Sequence, residues 1–325
     1  MENFTIKKYE ACHYSVWNQF VSEAKNATFL FHRDFIEYHS DRFKDHSILL
    51  FDKKGKVIAL FPANEVANTI HSHQGITYGG LIYKEIKLHK VIAAFKEVVA
   101  YYHQQNFETL SVKTIPSIYH QKPAEELVYA LFLLKAQLTR RDTLTVIDLR
   151  NDLHLSKGRM EGVAKGIKNK LKIVEESNFE SFWNQIMIPN LEKKHQTQPV
   201  HSLKEIQYLH SKFPNTIRQF NVYLGNTIVA GTTIFESDQV AHAQYISANE
   251  AKNELGSLDF LYHHLITHVF ATKKFFDFGI SNEQLGKKLN FGLSFWKESF
   301  GASTIVHDFY EVQTSNYQLA ENVLV

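Results

Sequence analysis

NVYLGNTIVAGTTIFESDQVAHAQYIS, residues 221–247, reads as β-strands in succession. β-Branched and aromatic residues alternate with small or polar ones in three runs, 221–224, 227–235 and 240–247. Gly225 and Asn226 separate the first two runs, and such a pair favours the tight turn of a two-residue β-hairpin. The segment therefore predicts a meander of three antiparallel strands.

The residues around the meander extend this pattern. An antiparallel meander that is followed by a helix and a further strand predicts an α/β (α+β) fold with a mixed sheet and helices on its faces. Two short helices are expected before the meander, at 179–187 and 203–213. After it we expect a helix at 257–271, a strand at 275–280, helical pieces at 283–300 that break near Gly292, and a strand at 303–312.

The first half of the chain has the same elements in the same order. Trp17-Asn18-Gln19 recurs as Trp183-Asn184-Gln185 in the matching first helix, and the offset between halves is roughly 160–175 residues, which indicates a duplicated domain. The expected helices of this half are 14–25, 32–43, 86–105 and 123–137, and its expected strands are 47–52, 57–66, 76–83, 109–115 and 143–149. We therefore expect domain one at 1–150, a connecting helix at 151–178 and domain two at 179–325.

Composition narrows the class of protein. The 325 residues suit two cores better than one, because single domains usually stop growing near ~250 residues. A net charge of +2 predicts no binding to DNA through the whole surface. Cys12 is the single cysteine, and neither a signal peptide nor a membrane-spanning apolar run is visible. These features favour a cytoplasmic protein.

The connecting segment is strongly basic. Two interpretations stay open: a helix that recognises phosphate groups of a nucleotide-linked or tRNA substrate, or a solvated connector. Its basic residues are Lys157, Arg159, Lys165, Lys168, Lys170 and Lys172.

One segment carries a family resemblance. Phe276-Asp277-Phe278-Gly279-Ile280-Ser281, followed by Gly286 and by Phe295-Trp296-Lys297-Glu298-Ser299-Phe300-Gly301, resembles the Fem-type transferases, which are tandem GNAT (N-acetyltransferase-like) proteins of bacteria. Residues 116–119, 127–132, 229–231 and 244–245 support the resemblance. It implies two GNAT-like domains and an enzyme that transfers an acyl or aminoacyl group to a free amine, on a cell-envelope precursor or amino sugar.

The acyl donor stays open. GNAT domains that use acetyl-CoA carry a Gln/Arg-x-x-Gly-x-Gly/Ala loop, whereas residues 249–257 contain only Gly256 and residues 83–87 contain no glycine. Fem-type members also lack this loop and use aminoacyl-tRNA, but their arginine-rich segment reads here as EKKHQTQPVH, residues 192–201. We therefore expect acyl-CoA or aminoacyl-tRNA as co-substrate, no permanently bound cofactor, and a first domain that forms the acceptor side or only packs.

The resemblance and the chemistry of acyl transfer select four candidate catalytic residues. The resemblance implies that Lys297 contacts the acyl ester or its carrier; the alternative is a lysine on a surface helix. Tyr245, near the end of a meander strand, would protonate the leaving group, or is only a half-buried strand tyrosine. His195 and His201 are candidate general bases, because imidazole titrates near neutral pH.

The binding candidates lie near predicted element ends. Ser257, after Gly256, is the expected N-cap of a helix whose free amides favour an anion such as a pyrophosphate. Asp277 and Ser281 flank the end of the predicted parallel strand, where ligands of such sheets bind. The substrate-binding candidates, each of which has a purely structural alternative, are Trp296, Glu283, Arg159 and Tyr78.

Two other functions compete with acyl transfer. The chain has 18 histidines, and the pairs His71/His73 and His264/His268 have zinc-like spacing, but neither has an obvious third ligand, so we expect no metal. The main alternative is a non-catalytic, GNAT-derived module that binds a nucleotide-linked or cell-wall precursor.

Overall fold

The chain folds into two compact units. The computed structural model describes residues 4–321 and 323, without the side chains of residues 194 and 195. The first unit comprises the residues up to 142, residues 285–287 and the residues from 306 onward. The second unit comprises residues 143–284 and 288–305.

The first unit contains strands of two sheets. One has the order β1-β2-β3-β6 and is antiparallel, while the other contains β4, β5 and β7, in which β5 and β7 run parallel. Helix α3 buries Val91, Phe95 and Val98 in the main core of this unit. The elements are β1 (Thr5–Lys8), α1 (Tyr14–Glu23), α2 (Arg33–Ile36), β2 (Ile48–Phe51), β3 (Val57–Phe61), β4 (Asn64–Val66), β5 (Thr69–His71), β6 (Ile82–Tyr83), α3 (Leu88–Gln104), β7 (Thr109–Lys113) and α4 (Glu126–Leu133).

The second unit is built on one mixed sheet of order β9-β10-β11-β12-β13-β8, in which β12 and β13 run parallel and the other neighbours antiparallel. Helix α6 continues through a π-helical turn, Trp183–Met187, into α7, and α10 continues into a π-helical turn, Leu265–Val269. The elements are α5 (Lys157–Lys168), β9 (Lys172–Glu176), α6 (Glu180–Phe182), α7 (Ile188–His195), α8 (Leu203–Lys212), β10 (Ile217–Leu224), β11 (Thr227–Glu236), β12 (Val240–Ala248), α9 (Lys252–Leu255), α10 (Ser257–His264), β13 (Phe275–Ile280), β14 (Asn282–Glu283), β15 (Lys288–Leu289) and α11 (Phe291–Glu298). Two long strands, β8 (Gln137–Asp148) and β16 (Ser303–Gln313), have residues in both units.

The last strand of each half of the sequence pairs with the other half. In the second unit β8 pairs with β13, so that Phe275 lies opposite Asp148. In the first unit β16 pairs with β7, so that Phe309 lies opposite Lys113. The observed boundaries therefore differ from those expected at residues 150, 178 and 325, because each unit takes its closing strand from the distant half of the sequence.

The core of the second unit lies between the sheet and α10. Leu261 and Tyr262 of α10 pack with Phe276 and Phe278 of β13, and all four side chains are buried. The Tyr262 hydroxyl bonds Thr232 Oγ1 at 2.8 Å. The predicted α/β class with a mixed sheet is confirmed. Strands β1 and β9 were not predicted, because both are polar and lie at sheet edges.

Candidate functional site

The parallel strands of the second unit part after a short common run. β12 and β13 pair at Val240↔Phe275, Ala241↔Phe276 and His242↔Asp277, and they diverge beyond the last pair. β12 stays on β11, while β13 bends toward β8, where Ile280 lies opposite Leu144. We call this divergence the fork.

Bulges accompany the fork. The register of β12 on β11 shifts between Ala243 and Tyr245, which leaves Gln244 as the extra residue. A second register shift, on β13 against β8, lies between Asp277 and Ile280. Each bulge bends its strand locally, and together they let the two neighbours separate.

A cavity of about 620 Å³ opens beside the diverged part of β12. Its floor is residues 244–248, and helices of the same unit form its walls, through Asn190 of α7, Arg159 of α5, Asp259 of α10 and Trp296 of α11. Amide, hydroxyl and cationic groups alternate there with apolar side chains. Such mixed lining suits a ligand that has both an apolar arm and polar groups.

Three of the wall residues form one polar cluster. An Arg159 Nη1–H donates to Asp259 Oδ1 at 2.6 Å, and Trp296 Nε1–H donates to the same oxygen at 3.3 Å. Burial raises the pKa of Asp259, and the positive charge of Arg159 offsets this in part. The structure thus brings Arg159 and Trp296, two predicted substrate-binding residues, to the same wall.

Helix α5 lies directly on the beginning of α10. A Cβ on Gly256 would lie 2.0 Å from the carbonyl oxygen of Gly162, and a Cβ on Gly162 would lie 1.9 Å from Asp259 Oδ2. Ser257 is fully buried. Neither Gly256 nor Ser257 belongs to the cavity lining, so the structure does not join these predicted cofactor residues to the cavity.

Ser257 is not the N-cap of α10, and that expectation was wrong. Gly256 occupies the cap position in the left-handed conformation, with φ of 66°, and the Ser257 hydroxyl makes no capping bond. The reason is that α9 runs up to Leu255, so that one residue in the left-handed conformation, Gly256, joins α9 to α10. The extended residue that a serine cap requires is therefore missing here.

Lys297 is buried at the diverged end of β13. Its Nζ donates to the carbonyl oxygens of Gly279 at 3.0 Å and Ile280 at 2.6 Å, and the residue is 2% exposed. Burial lowers the pKa of Lys297 to about 8, and Asp277 opposes this shift. Lys297 is thus neither a surface lysine nor part of the cavity lining. Its amine thus satisfies two carbonyl oxygens of β13 that lie beyond the last pair with β12.

This burial predicts how stability depends on pH. Because the folded-state pKa of Lys297 lies below the value of about 10.5 expected for unfolded lysine, the unfolded chain binds more protons above pH 8, and the free energy of unfolding rises with pH. Relative to Lys297→Met, the wild type should gain about 2 kcal/mol between pH 7 and pH 10. Urea unfolding of both proteins at each pH measures this difference, and parallel pH profiles would contradict it.

Tyr245 and His201 are brought together. His201 Nδ1 lies 2.5 Å from the Tyr245 hydroxyl, and the His201 backbone N–H donates to the same oxygen at 3.2 Å. Trp183 packs edge-on against the Tyr245 ring, with centroids 5.1 Å apart. Tyr245 lines the cavity, so these contacts hold a phenol at its floor. The side chain of His195 lies outside the described part of the chain.

Asp277 has a partner that sequence reasoning missed. Its carboxylate accepts the His242 Nδ1–H at 2.9 Å and the Gly279 backbone N–H at 2.7 Å, and the side chain is fully buried. His242 belongs to the last pair before the fork. The only signal in the sequence was one imidazole between two alanines of a predicted strand.

Two further candidates support the start of α11. Asn290 caps this helix, since its Oδ1 accepts the Leu293 N–H at 3.1 Å, and its Nδ2 donates to Glu283 at 3.0 Å. The Ser281 carbonyl oxygen accepts the Asn290 N–H at 2.9 Å. Glu283 and Ser281 thus hold Asn290, a cavity residue, but do not line the cavity themselves.

The corresponding opening in the first unit is filled by its own chain. β5 and β7 also pair at three positions. Beyond them the Gly79 N–H donates to the Lys113 carbonyl oxygen at 2.7 Å, and the Lys113 N–H donates to Ser72 Oγ at 2.9 Å. Tyr78 lies in this segment, 3% exposed, with its hydroxyl 3.0 Å from Thr28 Oγ1.

The basic residues of the connecting segment differ in their surroundings. Lys157, Lys165 and Lys168 are exposed on α5, whereas Arg159 faces the cavity. Among the described residues, no group of three or more histidine, cysteine, aspartate or glutamate side chains has the arrangement of a metal site. Likewise, none of the helices in the described ranges combines the length and apolar character of a bilayer crossing.

The fold is similar to that of several solved structures. FemX superposes with a TM-score of 0.66 at 10% identity over 96% of this chain and 99% of that one. The C-terminal domain of a putative lysylphosphatidylglycerol synthetase from Agrobacterium fabrum superposes with a TM-score of 0.61 at 12% identity, and the match covers 95% of each chain. A tandem GNAT protein from the clavulanic acid biosynthesis pathway gives 0.51 at 10% identity, over 96% of this chain and 99% of that one.

No family model and no curated protein sequence matches the chain. The similarity therefore concerns the fold, and at that level the resemblance to Fem-type and tandem GNAT proteins is confirmed.

Proposed function

We propose that the protein is an N-acyltransferase, which moves an acyl or aminoacyl group from a CoA thioester or an aminoacyl-tRNA to a free amine. The observation that carries this proposal is the fork, with its 620 Å³ cavity beside the diverged part of β12. An extended, amide-bearing arm of a donor can add to a strand edge as a further strand would. The reacting carbonyl then lies where β12 and β13 separate.

Tyr245 is the proposed acid of the reaction. When the bond between the acyl carbon and the sulfur or oxygen of the donor breaks, the leaving atom needs a proton. The Tyr245 hydroxyl can supply it, since His201 Nδ1 and the His201 backbone N–H both contact its oxygen. With an Nδ1–H imidazole, both groups donate to this oxygen and stabilise the phenolate that remains.

The donor is not expected to place a pyrophosphate at the beginning of α10. Helix α5 covers that position through Gly162 and Gly256, whose close approach leaves no space for a ligand. Arg159 and Lys252 are the cationic residues of the cavity lining and would contact the phosphates or carboxylate of a bound donor. This favours a donor held along the cavity itself.

A panel of donors tests the proposal. We expect amide formation when purified protein is incubated with acetyl-CoA, longer acyl-CoAs and charged tRNAs, together with amino sugars and amino-acid amines, as followed by mass spectrometry.

Leu293→Trp, which narrows the cavity, should raise the KM of the donor at least about tenfold, because a steric clash removes ground-state and transition-state binding alike. Leu138→Trp, at a similarly exposed position on β8, should leave this KM unchanged. Absence of transfer with every donor would contradict the proposal.

A second candidate is a non-catalytic binding module. The burial of Lys297 against two backbone carbonyl oxygens favours it, because this lysine then serves the fold and does not contact a ligand in the cavity. The module would bind a nucleotide-linked or cell-wall precursor without turnover. Titration calorimetry with such precursors, followed by product analysis of the same samples, separates the two functions.

A further inference from the structure

The fork carries a second pair of coupled polar side chains. His242 and Asp277 face each other at the last paired position of β12 and β13, and the His242 Nδ1–H donates to Asp277 Oδ2 at 2.9 Å. The other carboxylate oxygen accepts the Gly279 N–H at 2.7 Å. Two bonds therefore fix a fully buried carboxylate, and the carboxylate in turn fixes the orientation and the tautomer of the imidazole.

We infer that His242 is the general base that takes the proton from the acceptor amine, with Asp277 as its positioning residue. This inference rests on the proposed acyl transfer and names the group that the reaction still lacks. The amine must lose a proton as its nitrogen bonds the acyl carbon, and the carbonyl is expected at the same fork.

The surroundings of the imidazole suit this role. The Nδ1–H of His242 donates to Asp277, so Nε2 is the ring nitrogen that can accept a proton. The side chain of His242 is 15% exposed. Gly279 has φ of 72°, and a Cβ there would lie 3.2 Å from His242 Cε1. Glycine at this position therefore serves the local backbone and also keeps the Cε1 edge of the ring uncrowded.

The charges around His242 come from three elements. On β13 lies Asp277; behind it on α11 lies Lys297, whose amine is bound to carbonyl oxygens of β13. On β11, Glu236 lies opposite Ala241 and is paired with Arg218 and Lys273. The negative charge directly on the ring is thus that of Asp277, which stabilises an imidazolium formed during the reaction.

The two pairs, His242 with Asp277 and Tyr245 with His201, together account for every proton that moves in the reaction. The C–N bond forms as the amine proton moves to His242 Nε2, and the bond from carbon to sulfur or oxygen breaks as the Tyr245 proton moves to the leaving atom. The enzyme is left with an imidazolium and a phenolate, and exchange of one proton through water restores both.

Substitutions at the pair test this role. His242→Asn keeps an N–H near the Nδ1 position but removes Nε2, so kcat should fall about 100-fold while the KM of the donor changes less than about twofold. Asp277→Asn should also lower kcat, because the amide no longer enforces the tautomer. Added imidazole should restore part of the rate of His242→Ala, which a merely structural role would not allow. His264→Asn, on α10 and outside the β12–β13 pairs, is the control.

The outcomes separate this inference from the proposed function. If the wild type transfers acyl groups and folded His242→Asn keeps its kcat, or imidazole rescues nothing, the inference is wrong and the transferase stands. If the wild type transfers no acyl group from any donor, the proposed function fails and the inference fails with it. Thermal unfolding of each variant shows whether a loss of rate reflects a loss of fold.

Discussion

Gly162→Leu is expected to lower the free energy of unfolding of the second unit by about 3 kcal/mol. A Cβ at this position would lie 1.9 Å from Asp259 Oδ2 and 2.8 Å from Asp259 Cβ, so α5 and α10 must separate or the aspartate must turn away. Separation of the helices breaks the bond of Asp259 to Arg159, and rotation of the aspartate breaks its bonds to both Arg159 and Trp296. A buried carboxylate that loses such partners adds its desolvation cost to the steric one.

Gly158→Leu in the same helix is the matched control. A Cβ on Gly158 meets no atom within 4 Å, so this change should be neutral or slightly stabilising, because leucine forms helix better than glycine. Urea unfolding of both variants, followed by circular dichroism, measures the difference in midpoint. Equal midpoints for the two variants would show that α5 does not press on α10 as the structure has it.

Tyr245→Phe is expected to lower kcat of acyl transfer about 100-fold, while the KM of the donor stays within about twofold. The change removes only the hydroxyl that His201 holds from two directions, and it keeps the ring that packs on Trp183. The loss should therefore appear in the chemical step and not in the folding of the strand. Single-turnover kinetics with the donor found in the panel measures it.

Two comparisons sharpen this experiment. Tyr223→Phe removes a hydroxyl that donates to Glu176 at 2.9 Å on β10, outside the cavity lining, and should leave kcat unchanged. A donor with a better leaving group should recover most of the rate lost in Tyr245→Phe, because such a group leaves without a proton. A uniform loss with all donors would assign Tyr245 to structure and not to acid catalysis.

Much of the fold was predictable because its signals are local. The hairpin at Gly225-Asn226 and the strand Phe275–Ile280 occur where the sequence predicted them. The long helix of the first half, Leu88–Gln104, follows from apolar residues at helical spacing. Where periodicity was weak the prediction failed. Residues 76–83 form a strand only at Ile82–Tyr83, and residues 283–289, the beginning of the expected helical segment 283–300, belong to a short hairpin.

The site was only partly predictable. Tyr245 and His201 were chosen separately for their chemistry, and their contact across 44 positions of sequence became visible only in three dimensions. His242 was missed, because its partner Asp277 lies 35 positions away on a strand that becomes its neighbour through a helical crossover. Lys297 was chosen through the resemblance, but its burial against the Gly279 and Ile280 carbonyl oxygens was not foreseen.

Strand and helix types depend on neighbouring residues, since periodicity and turn preference act over a few positions. The sequence by itself also indicates the doubling of the unit, through the recurring order of these elements, and the candidate chemistry of single side chains. Three-dimensional packing alone assigns β8 and β16 to their sheets, separates β12 from β13, and pairs His242 with Asp277. The reason is that the backbone N–H and C=O groups are the same in every strand, so they do not specify which strand will pair with them. Which distant edge it joins depends on the apolar surface that the whole chain can bury at once.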